Sequence, residues 1–114
     1  MPATKFFVLD RAEEAASMVL PQLGRLRGRH RELGDQAQRA LTSVCLNLAE
    51  SRASGGKAQR NHLRIALGSS YETTAALRLI RMQGLLPVRV VDDAIAKLDE
   101  VQAMTFALMR RLAG

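Results

Sequence analysis

Tryptophan is absent from this sequence of 114 residues, cysteine occurs once, proline three times, and aromatics make up 4%. The lone Cys45 excludes an intramolecular disulfide and any zinc site built on several cysteines. No apolar run approaches the roughly 18–20 residues that a membrane-spanning helix requires. Near the N-terminus Lys5 is followed only by Phe6, Phe7, Val8 and Leu9 before Asp10, too short a stretch for the core of a signal peptide. These absences read as a cytoplasmic protein with no membrane partner.

The chain does hold an ordinary apolar fraction, 47%, with 25% charged residues, which argues against disorder. The length suits one domain over residues 1–114, able to bury roughly two-thirds of its unfolded surface. Ala, Leu and Arg are plentiful and lose little rotamer freedom in a helix.

Four periodic segments follow one another. The first, about 9–30, places Leu9, Ala12, Ala16, Val19, Leu23 and Leu26 on one helical face, with Pro21 predicting a kink because it frees the carbonyl of Ser17. The second, about 35–52, has Asp35 as a candidate N-cap or first-turn acid and Leu41, Val44, Cys45 and Leu48 on its apolar side. Ala53-Ser54-Gly55-Gly56 is the clearest loop. The third, about 57–83, carries Leu63, Ala66, Leu67, Ser70, Thr74, Leu77 and Ile80. Gly84 follows it as a left-handed cap, with Leu85 folding back on Ile80 and Pro87 stopping the helix. The fourth, about 91–112, carries Val91, Ile95, Leu98, Val101, Thr105, Leu108 and Leu112. No strand-like alternation competes. Four helices with short links predict an all-α, up-down-up-down bundle.

The second segment has another stripe, and it is polar: Gln36, Ala40, Ser43, Asn47 and Glu50. The third answers with Ile65, Gly68, Ser69, Glu72, Thr73 and Ala76. Small residues let two backbones approach, and the polar ones must then bond each other. A mid-helix glycine costs about 1 kcal/mol relative to Ala, so something should use the space it frees. Antiparallel pairing about the Gly-Gly loop sets Asn47 near His62 and Glu72 near Arg39, predicting an Arg39–Glu72 ion pair.

Residues 36–50 read Q-A-Q-R-A-L-T-S-V-C-L-N-L-A-E, and residues 65–77 read I-A-L-G-S-S-Y-E-T-T-A-A-L. Together they resemble the bacterial four-helix-bundle family encoded in intervening sequences of large-subunit ribosomal RNA genes. Gln36, Arg39, Ala40, Ser43, Val44, Asn47, Leu48, Ala49 and Glu50 fill its first hallmark. Ile65, Ala66, Gly68, Ser69, Glu72 and Leu77 fill the second. Ser51 stands where the family usually has glycine. The resemblance implies a left-handed bundle assembled as a homo-oligomer, often a pentamer. It also implies kinship with the accessory variability proteins of diversity-generating retroelements, which bind nucleic acid and associate with a reverse transcriptase.

Catalytic constellations do not assemble. His30 and His62 lie in different segments, no Glu precedes a His by three residues, and neither H-E-x-x-H nor a Walker phosphate loop occurs. The sequence therefore reads as a non-enzyme with no metal and no cofactor. Cys45 reads as a small buried hydrophobe, and Met18, Met82, Met104 and Met109 read as core filler.

Charge is more telling. The net charge is +6, and residues 25–81 alone carry +7. The excess concentrates in Arg25, Arg27, Arg29 and Arg31 at one corner of the bundle and in Arg52, Lys57, Arg60 and Arg64 at the opposite corner. Fourteen of the seventeen cations are Arg, whose planar fork matches phosphate oxygens. The expectation is RNA or DNA held by its phosphates, without sequence selectivity. With few aromatics, base stacking is not expected. The competing reading is a protein–protein scaffold with incidental charge.

Overall fold

A computed structural model describes residues 6–113. Four helices fill it: α1 (Phe7–Leu23), α2 (Arg31–Ala53), α3 (Gly56–Met82) and α4 (Val88–Ala113). A single 3-10 turn, Gly28–His30, leads into α2. Each helix packs on the next, and α4 returns to α1, so the four stand at the corners of a square. Partners across each seam run in opposite senses. Asn47 faces His62 and Ser43 faces Ser69 between α2 and α3, while Arg11 faces Glu100 and Glu14 faces Lys97 between α1 and α4. The up-down-up-down bundle follows. Lys5 lies outside the described residues.

The apolar stripes meet in two connected layers. One gathers Val19, Leu23, Leu41, Leu77, Ile80, Val91 and Leu98; the other gathers Val8, Val44, Leu48, Leu63 and Val101, with half-buried Cys45 touching both. The stripes read from spacing are mostly buried, but six members depart: Cys45, Leu67 and Leu108 are half-buried, and three lie towards helix ends or links. Leu112 is exposed near the end of α4, and Leu9 and Leu26 are half-buried. Met82 is 75% exposed and is no core filler.

Helix ends explain where the sequence boundaries shift. α1 stops two residues after Pro21 instead of reaching His30. The chain then crosses to α2 with Gly28 at φ +61°, an angle that favours glycine. α2 starts at Arg31, so Asp35 sits in its second turn and is not its cap. Gly34, just ahead of the segment at 35–52 that spacing marks, lies inside α2, and the end of α1 presses on it. A Cβ there would stand 3.0 Å from the Leu23 carbonyl oxygen. Ser54 and Gly55 alone separate α2 from α3. At the end of α3 the Leu85 N–H donates to Ile80 O at 3.2 Å and the Gly84 N–H to Arg81 O at 3.0 Å. That pair of bonds, with Gly84 at φ +67°, is the left-handed cap the sequence predicts.

Candidate nucleic-acid interface

The α2–α3 seam is narrow because its facing positions are small. Ala40, Thr73 and Ala76 are buried there, and Ser43 Oγ lies 2.8 Å from Ser69 Oγ. The Asn47 amide donates to Ser43 O at 2.9 Å and to Ser43 Oγ at 3.2 Å. Its oxygen therefore faces His62, whose Nδ1–H donates to it at 3.0 Å. This arrangement fixes the imidazole tautomer. Thr73 turns its hydroxyl back to Ser69 O at 2.8 Å.

The predicted Arg39–Glu72 ion pair does not form. Both side chains are exposed and neither meets the other's charge. The hydroxyls close the seam, so Arg39 and Glu72 project from its outer flanks into water. An exposed pair there would gain at most about 1 kcal/mol, against the entropy of holding two long side chains. Gln36 and Glu50 are exposed as well. Gly68 faces outward, and a Cβ on it would meet nothing within 4 Å. Among the described residues, none uses the space that glycine frees.

The cations fall at the two ends of the bundle. α2 has 23 residues and is about 34 Å long at ~1.5 Å per residue. Its two ends separate the groups. Arg25, Arg27 and Arg29 lie on the link from α1, and Arg31 opens α2; all four are exposed. Arg27 Nη1 donates to Gly24 O at 2.7 Å and to Leu26 O at 3.1 Å, capping the end of α1. Arg31 approaches Asp35 at 3.8 Å. Among the described residues, Arg25 and Arg29 meet no carboxylate. At the opposite end Lys57 and Arg60 likewise meet none, and Arg64 donates to Asn61 Oδ1 at 2.8 Å. Arg52 lies over the Phe6 ring, 5.8 Å from its centroid, a favourable cation–π placement.

The α1–α4 flank behaves differently. Arg11 pairs with Glu14 at 2.6 Å and with Glu100 at 3.7 Å, and Lys97 with Glu14 at 3.0 Å. The hydrogen bond from Lys97 and the charge of Arg11 hold the Glu14 carboxyl below its usual range. Cations here are compensated, whereas Arg25, Arg29, Lys57 and Arg60 at the ends meet no carboxylate among the described residues.

A family model of 23S rRNA-intervening sequence proteins matches residues 5–107. The chain belongs to that family. No curated protein matches the sequence. Among solved structures, the chain is similar to a protein of unknown function from the S23 ribosomal protein family of Bacteroides thetaiotaomicron VPI-5482. The two are 19% identical, with 91% of this chain and 96% of that chain covered and a TM-score of 0.77. At that identity the likeness speaks for the fold.

In this member of the 23S rRNA-intervening sequence family, three of the hallmark residues, Ser43, Asn47 and Ser69, build the α2–α3 seam. Gln36, Arg39, Glu50, Gly68 and Glu72 face solvent. No group of three or more His, Cys, Asp or Glu that could hold a metal ion occurs among the described residues, and no described helix is long and apolar enough to cross a membrane.

Sequence reasoning missed two features of the end that carries Lys57. The last turns of α4 come down beside the start of α3, so a groove lined by Lys57, Arg60, Asn61 and Arg64 is closed by Met109 and Ala113. This brings Arg110 and Arg111, in the last turn of α4, to the same end. Exposed aromatics are also present: Phe7 at this end is 55% exposed, Phe106 of α4 53%, and Tyr71, midway along α3, 56%. The expectation that none would be available for stacking is corrected. Phe7 lies off the buried stripe of α1: helical spacing puts it on one face with Arg11 and Glu14, and its neighbour Val8 with the buried Ala12, Ala15 and Val19.

Proposed function

We propose that this protein is a non-enzymatic, single-domain, homo-oligomeric bundle of the cytoplasm that binds RNA or DNA through phosphate contacts at its two cationic ends. One observation carries this reading. Arg25, Arg29, Lys57 and Arg60 face solvent with no carboxylate partner among the described residues, while Arg11 and Lys97 on the α1–α4 flank are neutralised. Uncompensated guanidinium groups on rigid ends are suited to phosphate oxygens, and repetition in an oligomer multiplies the field. The family name supports RNA as the first ligand to try.

Self-association is supported by α3. Ile65, Gly68, Glu72, Ala75, Leu79 and Met82 recur at steps of three and four and share one outward stripe. Ile65 is 38% exposed, Leu79 48% and Met82 75%. Such an apolar stripe on a small bundle marks an interaction surface, and outward Gly68 admits a close-approaching backbone. A pentamer, and an accessory role beside RNA or a reverse transcriptase, rest on the family resemblance alone. The same stripe favours a second reading, a scaffold whose partner is another protein.

The test is binding of structured RNA and duplex DNA titrated with salt, with light scattering for subunit number. Affinity that falls linearly on a log–log plot, with a slope of about −0.9 for each phosphate engaged on a duplex, supports the reading. Failure to bind either probe at low salt rejects it and leaves the scaffold.

A further inference from the structure

We infer that the end of the bundle where α1 begins and α4 finishes holds an unpaired nucleobase, so that the preferred nucleic acid is a single strand. The inference rests on the nucleic-acid reading above and deepens it. A pocket of about 250 Å³ opens there, walled by Phe6, Phe7, Val8, Met104, Ala107 and Leu108 and edged by Arg111. That is below the ~300–1,000 Å³ of drug-sized sites and suits one planar group. Phe7 leaves 55% of its surface open, so a ring face is available.

The neighbouring cations select the occupant. α4's last turns form a ridge with this apolar pocket on the α1 side. On the α3 side lies the groove of Lys57, Arg60 and Arg64. Arg110 and Arg111 stand exposed on the ridge itself. An apolar peptide would gain from the pocket but not from the charges. A duplex would gain from the charges, but its stacked bases cannot reach the pocket. A single strand uses both: phosphates lie along Lys57, Arg60, Arg64 and Arg110, and one base crosses the ridge to stack on Phe7 with Arg111 at its edge. Stacking on an aromatic ring tolerates any base, because every base has a π-face. The chemistry is common to RNA and DNA single strands.

The test compares the full-length protein with its Phe7→Ala and Phe7→Tyr variants. The probes are ten-nucleotide single strands of RNA and of DNA, the same RNA carrying abasic positions, and the corresponding blunt duplex, read by fluorescence anisotropy. Phe7→Ala is expected to weaken single-strand binding about tenfold while duplex and abasic affinities stay unchanged. Phe7→Tyr, which keeps the ring, should retain single-strand affinity. Helical content by circular dichroism should be alike in all three, since Phe7 is largely exposed. Equal single-strand affinity in wild type and Phe7→Ala overturns the base pocket while phosphate binding stands. An equal loss on single strand and duplex overturns it too. If wild type binds none of the probes, the phosphate reading itself falls, and the pocket with it.

Discussion

His62 of α3 and Asn47 of α2 share a hydrogen bond of 3.0 Å across the seam, fifteen residues apart in sequence. The bond is steadied by the amide nitrogen of Asn47, which grips Ser43 on its own helix. Replacing Asn47 with Ala removes the cross-helix bond and strands the imidazole N–H in a half-buried place. The expected loss is about 1 kcal/mol, measured as a lower urea midpoint with unchanged slope. Asn47→Ala and His62→Ala combined should cost less than the sum of the two, since each breaks the same bond.

The glycines of α2 and α3 should respond oppositely to alanine. Gly68→Ala meets open space and should stabilise the isolated protomer by about 1 kcal/mol. The same change should weaken self-association, seen by light scattering, if another copy uses that opening. Gly34→Ala places its Cβ 3.0 Å from Leu23 O and 3.1 Å from a Leu26 methyl. The end of α1 must then shift, and thermal unfolding should move to lower temperature.

Thr105 is fully buried in α4, and its hydroxyl has no hydrogen-bond partner among the described residues. A buried, unpaired hydroxyl is a cost to the fold. Thr105→Val should be neutral or stabilising by up to about 1 kcal/mol. Ser51→Ala is the control, because that buried hydroxyl donates to Leu48 O at 2.6 Å. It should give no comparable gain.

Cys45 should be slow with thiol reagents. Burial, with a smaller contribution from the Glu13 charge, pushes its thiol up to about 11, so the reactive thiolate is scarce at pH 8. Ellman's reagent should label it far more slowly in the folded protein than in urea. Equal rates would show that the two core layers part at Cys45.

Much of this fold could be read in the residues. Val44, Leu48, Leu63 and Leu77 follow the 3.6-residue period, and the Gly84 cap and the Asn47–His62 meeting follow from local rules plus an antiparallel turn. What could not be read depends on neighbours far along the chain. Gly34 resembles a helix breaker until the end of α1 is known to need its space. Arg39 and Glu72 look paired by register, but the small hydroxyls between them already satisfy the seam. The gathering of Arg110 and Arg111 with Lys57, Arg60 and Arg64 joins two helices whose relation appears only once the square has closed.

If the cations at the two ends grip phosphates, they must set how RNA affinity responds to salt. The decisive experiment is a salt titration of RNA affinity for wild type and for two quadruple variants. In one, Arg25, Arg27, Arg29 and Arg31 become Gln; in the other, Arg52, Lys57, Arg60 and Arg64 become Gln. Each variant should bind more weakly and with a shallower salt slope, by about 0.7–0.9 for every phosphate no longer engaged, with helical content retained. Wild-type affinity and slope in both variants would refute phosphate binding at these ends.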